Sequence, residues 1–363
     1  MNQIIMACMA FGAILGGVDR ILNNRFGLGE KFEEGFMLLG PLALSMPGII
    51  CLVPAISSLL ATVLTPLCSA LHLDPGTFGG ILAIDMGGYQ LAEHLAQNPS
   101  IGRFAGIILS ATFGCTVIFT IPVGMSLIPE NARHEFLHGI LIGLMVLPLA
   151  LLAGGLVQKM SPGELLQASF PILVLAAFLC VGMTRFPEKM IRGFEAVAGG
   201  IRILSTAGLV LAAVRTLTGI EVIPGMIPLE EAMATVCSIG IVMLGSLPLA
   251  EFLKHLLIRP IRALGHRTGM NAEGTTALLV GIVSVTPALG MFRDMDSRSR
   301  VVNGAALVSG ASAFAAHIGF TLAVEPEMVS PLLAAKITGM AAGITVALLV
   351  TGRDSKSPGL GRG

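Results

Sequence analysis

The stretch PGTFGGILAIDMGGYQLAEHLAQ, residues 75–97, decides how the rest of the chain is interpreted. It begins as an apolar run, meets the carboxylate of Asp85, and continues through Gly87 and Gly88. Glycine weakens a helix, and a charge inside an apolar run marks a place where a membrane protein can open its backbone around a polar solute. Asp85 is therefore the first candidate for contact with a solute; its alternative role is to cap a second half-helix.

The composition places the chain in a lipid bilayer. Of its 363 residues, 54% are hydrophobic and 12% are charged, and the mean hydropathy is +0.86. A soluble domain carries about 25% charged residues, so this chain lacks the side chains for a large water-facing surface. The net charge is zero, which argues against a nucleic-acid partner and leaves membrane lipid as the expected surrounding. The six cysteines include no C-x-x-C pair, so free thiols are predicted.

The apolar runs predict an all-α polytopic membrane protein, because a membrane-spanning helix needs about 20 apolar residues. The predicted spans are 3–22, 33–56, 102–127, 135–157, 163–184, 199–219, 230–252, 301–324 and 331–351. Two interrupted pieces, 75–97 and 273–292, either cross the membrane or re-enter it. The N-terminus has no basic region before its apolar run, so it is predicted to be the first span rather than a cleaved signal.

The chain repeats itself at a spacing of about 197 residues. FEEGFMLLG at 32–40 aligns with LEEAMATVC at 229–237, and LDPGTFGGILAIDMGG at 73–88 aligns with MNAEGTTALLVGIVSVTP at 270–287. Weak repeats with an interrupted segment in corresponding places are typical of secondary transporters. The predicted parts are a first transmembrane repeat at 1–158, a linking transmembrane helix at 159–195, a second repeat at 196–352 and a disordered cytoplasmic tail at 353–363.

The distribution of basic residues indicates that the two halves are inverted. The region 57–75 holds no Lys or Arg, whereas its counterpart 253–273 holds four basic residues, and basic residues favour the cytoplasmic side. With an external N-terminus and re-entrant interrupted pieces, only four of the 22 basic residues fall away from the cytoplasmic face: Arg103, Lys159, Arg215 and Lys336. If the interrupted pieces cross fully, the halves are parallel instead.

The candidate site combines one carboxylate with hydroxyl groups from the other half. The repeat counterpart of Asp85 is the region around Ser284, where Thr286 and Pro287 follow. A carboxylate binds an ammonium group and hydroxyls pair with a second polar end, so a small molecule with a cationic and a hydroxyl end is expected. Tyr89 adds either a cation–π face or an interfacial ring. The predicted substrate-binding residues are Glu34, Asp85, Gly87, Gly88, Tyr89, Gln90, Ser284, Asn303 and Ser309.

The sequence predicts positions for three of these candidates. Glu34 is placed at the cytoplasmic entrance, and Asn303 and Ser309 are placed with Ser312 and His317 on one continuous helix over 301–324.

Separately, His134-Glu135-Phe-Leu-His138 fits the H-E-x-x-H pattern of zinc proteases. No motif supplies a third zinc ligand, so an intramembrane metalloprotease is kept only as an alternative, and no catalytic residue, metal or cofactor is predicted.

FEEGFMLLGPLAL at 32–44, followed by DPGTFGGILAIDMGG at 74–88, resembles the bacterial ethanolamine permeases of the EutH type. The resemblance extends to about residue 353. It implies uptake of ethanolamine across the inner (cytoplasmic) membrane, which feeds a lyase that splits it to acetaldehyde and ammonia; it implies no enzyme activity. The resemblance carries over no binding residue.

Several alternatives stay open at this point. One alternative is an ion-coupled transporter of another small amine. Another is a non-transporting sensor or scaffold of an uptake complex. The patterns do not distinguish facilitated diffusion from coupling to H⁺ or Na⁺. The many glycines allow close helix contacts, and hence a homo-oligomer.

Overall fold

The computed structural model describes residues 2–81 and 88–352, and every regular element in those ranges is a helix. The α-helices are α1 Asn2–Ile21, α2 Leu28–Met37, α3 Leu39–Ser45, α4 Pro47–Leu71, α5 Gly76–Ile81, α6 Gly88–Leu95, α7 Pro99–Arg103, α8 Ile121–Leu127, α9 Glu130–Gln158, α10 Pro162–Arg185, α11 Pro187–Thr218, α12 Leu229–Thr268, α13 Ala272–Val283, α14 Val285–Gly290, α15 Ser297–Gly310, α16 Ala316–Val324 and α17 Val329–Val350. Two π-helical segments, Phe104–Gly114 and Thr116–Thr120, connect α7 to α8, and 3-10 turns lie at Met291–Asp294 and Pro326–Met328.

Eight helical segments within the described residues are long and apolar enough to cross a membrane. They are Ile4–Ile21, Leu28–Leu71, Pro99–Leu127, Glu130–Gln158, Pro162–Arg185, Glu188–Thr218, Leu229–Leu256 and Pro326–Val350. The segments in α1 and α11 bury only 17% of their most apolar stretch inside the protein, so their remaining apolar side chains suit contact with lipid. These segments confirm the predicted all-α, multi-pass membrane protein.

Helix α9 packs against both α15 and α17. Close approach to α15 depends on the absence of a side chain at Gly139. A Cβ atom there would overlap the carbonyl oxygen of Val301 and lie 2.8 Å from Cα of Gly304. Small residues at helix interfaces allow such approach, and in a bilayer this packing replaces the hydrophobic driving force available in water.

The predicted continuous helix over 301–324 is wrong. Helix α15 ends at Gly310, Ser312 adopts a left-handed conformation with φ of 49°, and α16 begins at Ala316. The backbone stays satisfied because the N–H of Ser312 donates to the Gly281 carbonyl at 2.9 Å and that of Phe314 donates to Ile282 at 3.0 Å. Irregular backbone at membrane depth is tolerated where neighbouring protein groups complete its hydrogen bonds.

Candidate functional site

A second break lies directly beside the first. Helix α13 ends at Val283, Ser284 is extended with φ of −148° and ψ of 129°, and α14 begins at Val285. Pro287 has no N–H to donate to the carbonyl of Val283, so a continuous helix would lose that bond. Because Gly281 and Ile282 accept the hydrogen bonds from Ser312 and Phe314, the two breaks are held together by backbone pairing.

A cavity of about 310 Å³ opens between the two breaks. Liquid water occupies about 30 Å³ per molecule, so the cavity has room for a small solute together with some of its hydration. Apolar side chains such as Leu42, Phe119 and Met243 form part of its wall. Its polar lining comes from Glu34, Ser45, Cys115, Ser284, Thr286, Ser312 and His317.

His317 gives the cavity a defined hydrogen-bonding character. The side chain is buried at the start of α16, and its Nδ1 lies 3.0 Å from the Ala311 carbonyl oxygen. A carbonyl only accepts hydrogen bonds, so Nδ1 carries the hydrogen. Nε2 of the neutral ring is then an acceptor. The cavity wall therefore combines hydroxyl groups, which donate or accept, with an imidazole whose remaining nitrogen accepts.

Glu34 supplies a carboxylate at the more exposed side of the cavity. It lies in α2, its side chain is 40% exposed, and it pairs with Lys31 one turn earlier. Partial exposure lets water screen this pair. Such a carboxylate suits a role in attracting a cation toward the cavity rather than in binding it tightly.

A buried lysine lies close to the cavity wall. Lys336 of α17 is completely buried, and its Nζ donates to the carbonyl oxygens of Ala111, Ser309 and Ala311 at 2.8, 3.1 and 2.9 Å. Ala311 also accepts from His317, whose ring lines the cavity. The Lys336 ammonium and the cavity are therefore joined through a single backbone carbonyl.

Of the predicted site residues, Glu34 and Ser284 line this cavity, whereas Tyr89 lies elsewhere. The Tyr89 hydroxyl donates to Glu325 Oε2 at 2.9 Å, and its ring meets Phe320 edge-on with centroids 6.1 Å apart. Gly88 is buried beside Tyr89. Gln90 buries its Oε1 with no hydrogen-bond partner in the part of the chain that the structure describes.

Asn303 and Ser309 both lie on α15, outside the cavity lining. The Asn303 amide donates to the carbonyls of Gly274 and Ser299, each at 2.9 Å, and so ties α15 to α13. Ser309 contributes its carbonyl to Lys336. The predicted residues Asp85 and Gly87 lie outside the described residues.

The H-E-x-x-H pattern falls on the first turns of α9. His134 is exposed there, and the His134 and His138 ring centroids are 6.5 Å apart. Across residues 2–81 and 88–352, no group of three or more His, Cys, Asp or Glu side chains has an arrangement that suits a metal ion.

The sequence patterns did not predict the places of two residues of this region, Lys336 and His317, at or beside the cavity. From the sequence, Lys336 stands out only as an exception to the charge pattern. An ionisable residue inside an apolar span is costly and therefore informative, and that signal was present in the 329–350 stretch. The sequence places His317 inside a continuous helix over 301–324, because the break that turns it toward the cavity carries no proline or charge.

Comparison with known proteins gives matches along the whole chain. The sequence model of a family described as "Ethanolamine utilisation protein, EutH" matches residues 1–350. The chain is 36% identical over 356 residues to "Probable ethanolamine permease EutH" of Listeria monocytogenes serotype 1/2a strain 10403S, covering 98% of this chain and 95% of that protein. No solved structure matches the chain.

Two further relatives extend the comparison. The chain is 35% identical over 347 residues to "Uncharacterized protein YxeR" of Bacillus subtilis strain 168, covering 95% of this chain and 93% of the relative. It is 33% identical over 392 residues to "Probable ethanolamine permease EutH" of Salmonella typhimurium strain LT2, with 97% and 96% covered.

Proposed function

Because the chain belongs to the EutH family of ethanolamine utilisation proteins, we propose that it takes up ethanolamine across the bacterial cytoplasmic membrane. The eight apolar helical segments support a role within a bilayer. The names of the Listeria and Salmonella relatives support the choice of solute.

The observation that carries this proposal is the cavity between the two helix breaks. Ethanolamine is protonated at neutral pH and offers an ammonium at one end and a hydroxyl at the other. In the proposed site, Glu34 attracts the ammonium at the exposed side of the cavity. Ser284 and the acceptor nitrogen of His317 pair with the hydroxyl.

Asp85 remains the proposed partner of the ammonium inside the membrane. It lies outside the described residues, between α5 and α6, so its support is the sequence alone. A charged side chain in an apolar segment is costly unless it pairs, and a cationic solute is a partner of the right charge. Gly87 and Gly88 after it make room for backbone close to the solute.

The proposed mechanism places the cavity between two related, inverted halves. One pair of hydrogen bonds supports this repeat: Asp74 Oδ2 accepts from the Asn98 N–H at 2.8 Å, and Asp296 Oδ2 accepts from the Asn271 N–H at 2.7 Å. Asp74 and Asn271 are 197 residues apart in the sequence, and Asn98 and Asp296 are 198 residues apart. Both separations match the spacing of the predicted repeat. Rocking of one half against the other would expose the cavity to each side in turn.

The test is uptake of labelled ethanolamine into liposomes that contain only this protein. Wild type is compared with Asp85→Asn, and Asp294→Asn, an exposed carboxylate, is the matched control. We expect saturable uptake by wild type and the control, and a large loss in Asp85→Asn. Accumulation only with an ion gradient would identify coupled transport, and stronger competition by another amine would identify a different solute. Absence of flux under every gradient would contradict the proposal.

A further inference from the structure

The carbonyl oxygens around Lys336 have the make-up of a cation site. Ser309 and Ala311 lie at the C-terminal end of α15, where unpaired carbonyls carry the negative end of the helix dipole. Ala111 adds a third carbonyl from the π-helical segment of the first half. In secondary transporters, carbonyls at the ends of broken helices coordinate Na⁺.

In this chain, the ammonium group of Lys336 occupies the position that such a cation would take. The Lys336 ammonium has three N–H donors, and each finds one carbonyl oxygen at 2.8 to 3.1 Å. Its side chain is completely buried, so water cannot replace these bonds. Burial of an ammonium is costly, and three neutral acceptors, two of them at a helix C-terminus, offset that cost.

The same three bonds explain what the charge does for the fold. Ser309 and Ala311 flank the point where α15 stops, and Ala311 also receives the His317 hydrogen bond that orients the ring at the cavity wall. The ammonium therefore fixes the end of α15 and, through Ala311, the position of His317. Ala111 joins the same point to the opposite half of the chain.

We propose that Lys336 is a built-in cation at the α15–α16 break, so that the protein needs no Na⁺ or other metal cation at this position. This inference concerns the break itself and holds for any small solute. It makes Lys336 a positioning residue, acting on the cavity through Ala311 and His317.

A pair of substitutions separates the charge from the volume of the side chain. Lys336→Ala removes the atoms from Cγ to Nζ, which correspond to n-propylammonium, and leaves space for that cation. Lys336→Met fills most of the space without a charge. Both proteins are purified in detergent, and their thermal unfolding midpoints are measured with added n-propylammonium, Na⁺ or uncharged n-propanol at constant ionic strength.

We expect both variants to unfold at lower temperature than wild type. n-Propylammonium should restore at least half of the lost midpoint in Lys336→Ala, in a saturable way, because a ligand that binds only the folded state stabilises it. n-Propanol should not do so, and neither Lys336→Met nor wild type should respond. The proposal would be overturned if cations left the unfolding midpoint of Lys336→Ala unchanged. It would also be overturned if Lys336→Met were as stable as wild type.

If Lys336→Ala is recovered folded only when n-propylammonium is present, that recovery itself supports the proposal. If it is not recovered in any cation, the stabilities of Lys336→Arg and Lys336→Met are compared instead. Arg keeps the charge, so it should retain more of the stability, and the reverse order would overturn the inference.

The second readout is the cation dependence of uptake by wild type in liposomes. Rates in Na⁺ and in N-methyl-D-glucamine should agree within about twofold, because the Lys336 ammonium already occupies the three carbonyl oxygens. A strict Na⁺ requirement for uptake, together with a wild-type unfolding midpoint that rises with Na⁺, would overturn the inference. If no amine is taken up at all, the proposed function fails, while the unfolding series still tests the role of Lys336.

Discussion

Single side chains at the two helix breaks determine which hydrogen bonds the cavity wall can offer. His317 presents an acceptor nitrogen because its other nitrogen donates to Ala311, and Ser284 is exposed to the cavity because the backbone there is extended. Neither group needs a charge to act. The chemistry at this scale is that of hydrogen bonds in a small, partly apolar space, where an unmade bond is costly.

Ser284→Ala tests this chemistry at one hydroxyl. Loss of a single hydrogen bond is worth about 0.5–1.5 kcal/mol, so we expect the KM for ethanolamine uptake to rise about 2- to 10-fold. Ser238→Ala is the control, because that hydroxyl is exposed and donates to the Ala234 carbonyl of its own helix. Equal KM values for the two variants would remove Ser284 from the binding site.

Tyr89→Phe tests the contact between α6 and the chain before the last helix. The variant loses the hydrogen bond to Glu325, so we expect the free energy of unfolding to fall by about 1–2 kcal/mol. In a Glu325→Ala background the same change should cost almost nothing, since its partner is already absent. Fully additive losses would show that the Tyr89 hydroxyl acts through another group.

At the scale of helices, the arrangement depends on close packing and on shared breaks. Helix α9 approaches α15 at a glycine, and the break after α15 is stabilised by carbonyls at the end of α13. These contacts hold the two breaks in one place, and the cavity exists because both helices stop there.

Gly139→Ala tests the packing of α9 on α15. The new Cβ would overlap the Val301 carbonyl, and overpacking of this kind costs about 1–3 kcal/mol, which we expect as a loss of unfolding free energy. Gly199→Ala in α11 is the control, because among the described residues its added Cβ would meet no packing neighbour within 4 Å beyond its own stretch of helix. There the change should stabilise by about 0.4–1 kcal/mol. A Gly139→Ala protein as stable as Gly199→Ala would contradict this packing.

The sequence predicted most helices but not the break at 311–315. Spans such as α9 and α10 follow from long apolar runs with a clear start at Pro129 or Ser161, which local patterns show. The residues GASAF at 310–314 contain no proline or charge, and their break is stabilised by carbonyls about 30 residues earlier in the chain. For the same reason, the three partners of Lys336, one of them at Ala111, were beyond reach of pattern analysis.

At the scale of the whole molecule, the proposed inverted halves place equivalent segments on opposite faces of the membrane. Leu71 at the end of α4 and Glu273 at the start of α13 are both exposed, and they flank loops that correspond in the proposed repeat. No basic residue lies near the first loop, which favours a position outside the cell. Several lie near the second loop, which favours a position on the cytoplasmic side.

Cysteine labelling in intact cells tests this orientation. With the six native cysteines replaced by alanine, Leu71→Cys should react with a membrane-impermeant reagent added outside. Glu273→Cys should react only after the membrane is permeabilised. Reaction of both from the same side would establish parallel halves and fully crossing interrupted pieces.

The most direct test of the central claim is protection of the cavity by its solute. Ser284→Cys, with the native cysteines replaced, is treated with an ethylammonium thiosulfonate reagent in the presence of increasing ethanolamine, beside Glu273→Cys. We predict that ethanolamine slows modification of Ser284→Cys at the concentrations that saturate uptake and leaves Glu273→Cys unaffected. Modification of Ser284→Cys at an unchanged rate, in protein that takes up ethanolamine, would show that the solute passes elsewhere.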